Sequence, residues 1–250
     1  MFRAITLIFL VVFQGFVFSQ SSTPEYEKIM TNEAFVLDVS QLNWMSPPTG
    51  MKIEPYSSSI NVFAMYPLAG RRYNISLASG FGIGTDNMKS NYVPVYEADQ
   101  TISLRKLPDG ILYDNNKFSV VYFDVPLELR IRTNPRWKKR NFKISFGAKA
   151  GYLIQTYHKY RGEDYHQYSF GDYVKFKQYR IKNVMHYRYG VYGRIGYGKF
   201  MFYGYYSLTQ VFKTNLGPEI TPFAVGITIV PIFKNEIHYK EYRSRILSDN

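Results

Sequence analysis

The chain has 250 residues, with 31 Lys and Arg against 19 Asp and Glu and a formal charge of +12. That balance favours anionic partners, which for an exported chain are lipid headgroups or surface polysaccharide rather than nucleic acid. The absence of cysteine excludes a disulfide framework and a thiolate metal site, and the 24 Tyr and 19 Phe against 2 Trp suit strands, binding surfaces and membrane interfaces alike.

The chain opens MFRAITLIFLVVFQGFVFSQ, with one early cation at Arg3, an apolar run from Ala4 to Phe18, and the small residues Val17 and Ser19. This pattern predicts a secretory signal peptide over residues 1–19, cut before Gln20. The run is shorter than the roughly 20 residues that a membrane-spanning helix requires. Cleavage removes Arg3 and no acid, so the formal charge falls by one, from +12 to +11.

Turn signals and period-two alternation then divide the chain into eight predicted strands, with no helix-period segment of any length. The first, Ala34 to Trp44, is the least regular. The second runs from Ile60 to Leu68 and ends in a turn at Ala69 to Arg72. The third, Tyr73 to Gly84, sets Tyr73, Ile75, Leu77, Phe81 and Ile83 against Asn74, Ser76, Ala78, Gly80, Gly82 and Gly84. The fourth, FSVVYFDVPLELRIR at 118–132, sets Val121, Phe123, Val125, Leu127, Leu129 and Ile131 against Tyr122, Asp124, Pro126, Glu128, Arg130 and Arg132.

After the cationic turn TNPRWKKR, the fifth strand, Phe142 to Ile154, opposes an apolar face to Lys143, Ser145, Gly147, Lys149 and Gly151. The sixth, Tyr187 to Tyr197, alternates Tyr187, Tyr189, Val191 and Ile195 with Arg188, Gly190, Tyr192, Arg194 and Gly196. Gly198 and Lys199 turn it into the seventh, Phe200 to Phe212. The eighth is Phe223 to Phe233.

Long and short connections alternate, the longest being 86–117 and 158–185. An up-and-down barrel with short turns at one rim and long loops at the other produces this order, with both termini on the periplasmic side. The charged face also carries Gly80, Gly82, Gly84, Gly147, Gly151, Gly190, Gly196 and Gly226. Glycine along a water-facing strand weakens it for no gain, whereas in a narrow eight-stranded cylinder it makes space for long side chains.

The expected fold is therefore all-β: an eight-stranded antiparallel up-and-down transmembrane β-barrel with a packed polar lumen, spanning residues 33–233. Residues 20–32 form an N-terminal periplasmic segment and 234–250 a periplasmic tail. The lumen is expected to hold a charge network of Asp124, Glu128, Arg130, Lys143, Lys149, Arg188 and Arg194, with Tyr122 and Tyr192 among them. Phe200, Phe202, Tyr187, Tyr189, Tyr203, Phe212 and Phe233 are expected in the aromatic girdles. The opposite orientation, apolar face inward, would make a secreted lipocalin-like carrier.

The histidines are His158, His166, His186 and His238, of which His158 and His166 lie near Glu163 and Asp164 in a stretch expected to be an exposed loop. No nucleophile elbow, phosphate loop or zinc-protease spacing appears, so no catalytic, cofactor-binding or metal site is assigned. A lipid-modifying enzyme would need a serine and a histidine converging at one rim. The interleaved cations and tyrosines of 159–190 mark Tyr160, Arg161, Tyr165, Lys175 and Lys177 as candidate loop-binding residues, with phosphates of lipopolysaccharide or an envelope protein as partner.

Several stretches carry a resemblance: INVFAMYPLAG with NISLASGFGIGTDN, then FDVPLELRIRT, FKISFGAKAGYLI, RYGVYGRIGYG, YSLTQVFK and PFAVGITI. In this order, across about residues 33 to 233, they resemble the PorT-like outer-membrane β-barrel family of Bacteroidota, within the OmpX/OmpA-like eight-stranded barrels. The resemblance implies an outer-membrane barrel without catalytic residues, and for some members a tie to a gliding and protein-secretion apparatus. This chain departs from the simplest members by continuing 17 residues beyond Phe233.

Overall fold

A computed structural model describes residues 35–70, 73–133, 141–165 and 172–231, all within one compact unit, Glu33–Phe233. The signal peptide, the N-terminal segment, Phe233 and the tail lie outside the described residues. Eleven strands are present: β1 (Phe35–Met45), β2 (Ser58–Ala69), β3 (Ile75–Lys89), β4 (Tyr92–Tyr96), β5 (Ile102–Lys106), β6 (Tyr113–Arg132), β7 (Phe142–Glu163), β8 (Tyr173–Tyr179), β9 (Tyr187–Tyr197), β10 (Phe200–Ser207) and β11 (Thr221–Ile229).

Eight of them close into an antiparallel ring in the order β6, β3, β2, β1, β11, β10, β9, β7, sealed by the β6–β7 ladder. Alternation dictates the two faces. Along β6, Val125, Leu127 and Leu129 are 48%, 49% and 43% exposed, while Asp124 and Glu128 between them are 0% and 2% exposed. The apolar face therefore looks outward and the charged face inward, which excludes the lipocalin orientation. The outward apolar run Val121–Ile131 spans eleven residues, and with the usual strand tilt this gives a band about 25 Å tall, the height of an outer-membrane hydrocarbon layer.

At four of the inward glycines another side chain occupies the space of a Cβ. A methyl at Gly84 would meet Arg188, Asn61 and Asp124; at Gly151, Asp124 and Arg188; at Gly147 and Gly190, the rings of Tyr192 and Tyr205. Pro126 lacks an N–H, and the β3–β6 ladder skips the pairs between Ser79↔Leu127 and Gly82↔Asp124; Ser79 Oγ donates to the Pro126 carbonyl at 2.8 Å. The β9–β10 hairpin turns in two residues because Gly198 adopts a φ of 62°.

Three expectations are corrected. The connections 86–117 and 158–185 are largely strand, since β3, β6 and β7 continue past the bilayer, β8 pairs with the end of β7, and β4 and β5 form a separate hairpin. The alternation does continue there, but both faces carry aromatic and polar residues, which hides it. The seventh strand stops at Ser207 rather than Phe212. Of the expected girdle, Phe200, Phe202, Tyr187 and Tyr189 are exposed outward, but Tyr203 has the inward parity of β10 and Phe212 is buried above the lumen.

Replacing Gly147 by Ala should drive a methyl into the Tyr192 ring and the Leu127 carbonyl and cost about 1–3 kcal/mol. Gly193→Ala, whose nearest neighbours lie at 3.9 Å, should be neutral. The temperature at which the folded, heat-modifiable gel band disappears measures both.

Candidate functional site

Three layers fill the inside of the barrel. At the periplasmic end, Val36, Phe63, Met65, Ala78, Met201 and Val230 form an apolar cluster, with Arg130 and Lys143 beside it on the β6–β7 side. Above it lies an ionic layer built on two arginines of β9. Arg194 holds Asp38 through Nε and Nη2 at 3.1 and 2.8 Å and turns Nη1 to Glu128. Glu128 also accepts from Arg130 Nε at 2.6 Å and from the Tyr192 hydroxyl at 3.1 Å. Arg188 donates from Nε to Asp124 at 2.9 Å, reaches the second Asp124 oxygen through Nη2, and binds Asp86 through Nη1 at 2.7 Å.

Lys149 lies between these clusters, 3.1 Å from Asn61 Oδ1, 3.9 Å from Asp124 and 4.1 Å from the centre of the Tyr205 ring. The Arg188 guanidinium stacks on Tyr122 and that of Arg194 on Tyr192, at 4.2 and 4.5 Å. Thr228 and Ser59 hydroxyls complete Asp38 and Asp86, each donating at 2.6 Å. Lys143 is buried at the periplasmic end, where it lines a cavity of about 10 Å³ with Glu128, Arg130 and Arg194. All seven lumen charges read from the sequence are placed in the interior.

The third layer closes the extracellular mouth. Phe118 and Val120 of β6, Trp44 of β1, Ile102 of β5, Ile181 and Val184 before β9, and Val211, Phe212 and Ile220 after β10 pack into one apolar cap. The cavity beneath it, lined by Asp86, Tyr122, Arg188 and Tyr205, has about 20 Å³, room for roughly one water. Paired charges that fill the lumen beside an apolar cluster and beneath an apolar cap are a plug.

Beyond the cap, β6, β7 and β8 form an extracellular sheet. Its inner face packs Tyr160, Val174 and Phe176 on Val93 and Leu107, and Asn116 Nδ2 ties the β4–β5 hairpin down through the carbonyls of Ser90 and Tyr92 at 2.7 and 2.9 Å. His158 is buried beside this core with Nε2 2.7 Å from Asn116 Oδ1. Burial pushes its pKa down to about 4, so the imidazole is neutral at physiological pH. It pairs with neither Glu163 nor Asp164, and His166 lies outside the described residues. Among the described residues no group of three or more His, Asp or Glu gathers for a metal.

The candidate loop-binding residues divide by parity. Arg161, Lys175 and Lys177 are on the exposed outer face. Tyr160 is not available to a ligand: it has the inward parity of β7, is fully buried, and donates to the Glu163 carbonyl at 2.7 Å. Tyr165 turns the same way, its ring 4.9 Å from that of Tyr160. Sequence reasoning missed Asp38, because both faces of β1 carry apolar residues, and Asp86, which lies just past the predicted end of its strand. It also missed the cap, to which the connections before β9 and after β10 contribute Ile181, Val184, Val211, Phe212 and Ile220.

An eight-stranded ring with a lipid-facing apolar band and a filled polar interior defines an integral outer-membrane β-barrel. Residues 35–213 match the family described as outer membrane protein beta-barrel domain, and the chain belongs to that family. The protein resides in the outer membrane. The crystal structure of Ail, the attachment invasion locus protein of Yersinia pestis, in complex with the heparin analogue sucrose octasulfate, is similar at 11% identity with a TM-score of 0.28, over 78% of this chain and 95% of that one. No curated protein matches the sequence.

Glu128→Ala should leave Arg194 and Arg130 short of a buried counter-charge and cost about 3–5 kcal/mol, read from thermal unfolding in detergent. His158 has a folded pKa below its unfolded value, so the stability it contributes is complete above about 6.5 and declines as pH falls from there towards 4. Protection factors of the β7 and β8 amides, which correct for the slower intrinsic exchange in acid, should fall across that window, and His158→Gln should flatten the dependence.

Proposed function

We propose that the protein is a non-enzymatic, non-conducting outer-membrane barrel whose role is to hold the β6–β7–β8 sheet and its hairpin above the outer leaflet as a binding surface. The observation that carries this reading is the contrast between the two ends of the molecule. The interior is filled by paired charges packed beside an apolar cluster and closed above by an apolar cap, whereas β6 and β7 run 20 and 22 residues and stand well clear of the bilayer. An eight-stranded barrel leaves room for side chains, not for a channel.

The partners proposed for that surface are outer-membrane lipid, including lipopolysaccharide, and an envelope protein. Arg161, Lys175 and Lys177 are the exposed candidates for contact. β8 is hydrogen-bonded only to β7 among the described strands, so its other edge offers backbone groups for pairing. The likeness of the strand sequences to PorT-like barrels supports an accessory place in a secretion or gliding apparatus. It also supports the domain division into a signal peptide over 1–19, periplasmic segments at 20–32 and 234–250, and a barrel over 33–233.

Reconstituted into a planar bilayer, the protein should show no steady single-channel conductance, and lipid A from cells with and without it should give the same mass spectrum. Steady conductance would refute the plugged barrel. A mass shift in lipid A would favour a lipid-modifying enzyme instead.

A further inference from the structure

Four lysines form one cross-strand row on the outer face of the sheet. The strand registers set Lys89 opposite Lys117, Lys117 opposite Lys159, and Lys159 opposite Lys177. With neighbouring strands about 4.8 Å apart, the row places four ammonium groups on one face over about 15 Å. Like charges directly opposite each other destabilise a sheet. No carboxylate forms an ion pair with any of the four among the described residues. The nearby cation Arg161 is engaged differently, 3.4 Å from Asp114 and 2.9 Å from the Tyr173 hydroxyl.

Tyrosine rings flank the ammonium groups of three of the four. Lys177 Nζ lies 4.1 and 4.5 Å from the ring centres of Tyr157 and Tyr179, Lys117 Nζ 5.6 Å from Tyr157, and Lys89 Nζ 5.8 Å from Tyr56. The height of the row matters as much as its charge. Descending β6, the outward positions after Lys117 are Ser119, Val121 and Phe123; descending β3 after Lys89 they are Asn87, Thr85 and Ile83; descending β7 below Lys159 come Tyr157, Gln155 and then, at a bulge, Ile154. The lysines therefore stand two or three outward positions above the last apolar side chains, where hydrocarbon gives way to headgroups.

We infer that the row formed by Lys89, Lys117, Lys159 and Lys177 is a binding site for the phosphate groups of outer-leaflet lipid. The inference rests on the proposed reading of the sheet as a binding surface and names the ligand chemistry of its lower edge. A lysine is a compact point charge with three donors, suited to phosphate, and a row of four matches a lipid carrying two phosphates on one sugar headgroup. The apolar band immediately below receives that lipid's acyl chains, which a free polyanion lacks.

The test uses the full chain in detergent, delipidated, and the variant K89Q/K117Q/K159Q/K177Q. A control, K52Q/K106Q/K182Q/K213Q, removes the same charge elsewhere among the extracellular residues. The probes are diphosphoryl lipid A, its dephosphorylated form and inorganic pyrophosphate, and the readout is the shift of the thermal midpoint with probe concentration. Diphosphoryl lipid A should raise the midpoint of the wild-type chain and of the control, with the row variant at least about tenfold weaker. The dephosphorylated lipid and pyrophosphate should have little effect.

Equal responses of wild type and row variant, or equal responses to lipid with and without phosphate, would overturn the inference. Pyrophosphate acting as strongly as the lipid would overturn the lipid assignment in favour of a soluble polyanion. Without lipid the row variant should unfold no earlier than wild type, because like-charge repulsion is removed, and K117Q/K159Q carries the same test with fewer changes. Conductance is measured through the lumen, which these lysines do not line. A conducting barrel with an intact lipid response would therefore refute the functional reading and leave this site standing.

Discussion

Arg194 and Arg188 on β9 are the interaction on which the rest of the barrel depends. Arg194 joins β9 to Asp38 on β1 and Glu128 on β6; Arg188 joins it to Asp124 on β6 and Asp86 on β3. Strands far apart around the ring are thereby fixed across its interior, which neighbour-to-neighbour ladders cannot do. A buried charge is tolerable only if paired and hydrogen-bonded, and here every carboxylate of the layer has a guanidinium and most have a hydroxyl as well. The glycines follow from this: Gly84 and Gly151 are small because Arg188 and Asp124 occupy the space where their side chains would be.

Sealing follows from the same layer. Charges paired within the lumen beneath an apolar cap, beside cavities of only about 10 and 20 Å³, have no continuous water path through the barrel, so the ion pairs act as structure rather than as a conduction path. The cap shifts function outward. Residues from β5 and from the connections before β9 and after β10 are committed to closing the mouth, and the hairpin is tied down by Asn116. What remains free to meet a partner is the outer face and outer edge of the extracellular sheet.

The barrel was legible because lipid on one side and a packed interior on the other impose strict alternation, so Asp124, Glu128, Lys149 and Arg194 could be assigned inward from parity and from the glycines beside them. Above the bilayer that constraint lapses. His158 and Tyr160 are as buried as any lumen residue, yet their neighbours Lys159 and Arg161 are flanked by tyrosine on both faces, and the stretch reads as an exposed loop. Asp38 shows the other limit. A carboxylate is meaningful only beside its partner, and Arg194 is 156 residues away.

Parity also explains why the lumen charges and the lysine row call for different accounts although both are clusters of cations. Inside, each guanidinium faces a carboxylate supplied by the chain itself, so the cluster is complete and needs no ligand. On the outer face, Lys89, Lys117, Lys159 and Lys177 face one another, and among the described residues no acid pairs with them, while Asp114 pairs with Arg161 one row higher. A sheet that carries opposed like charges at the edge of its lipid-facing band is less stable alone than a neutral one. Among the described residues the chain supplies no counter-charge to such a row, and at that height in the outer membrane the headgroups of the leaflet itself are the anions at hand.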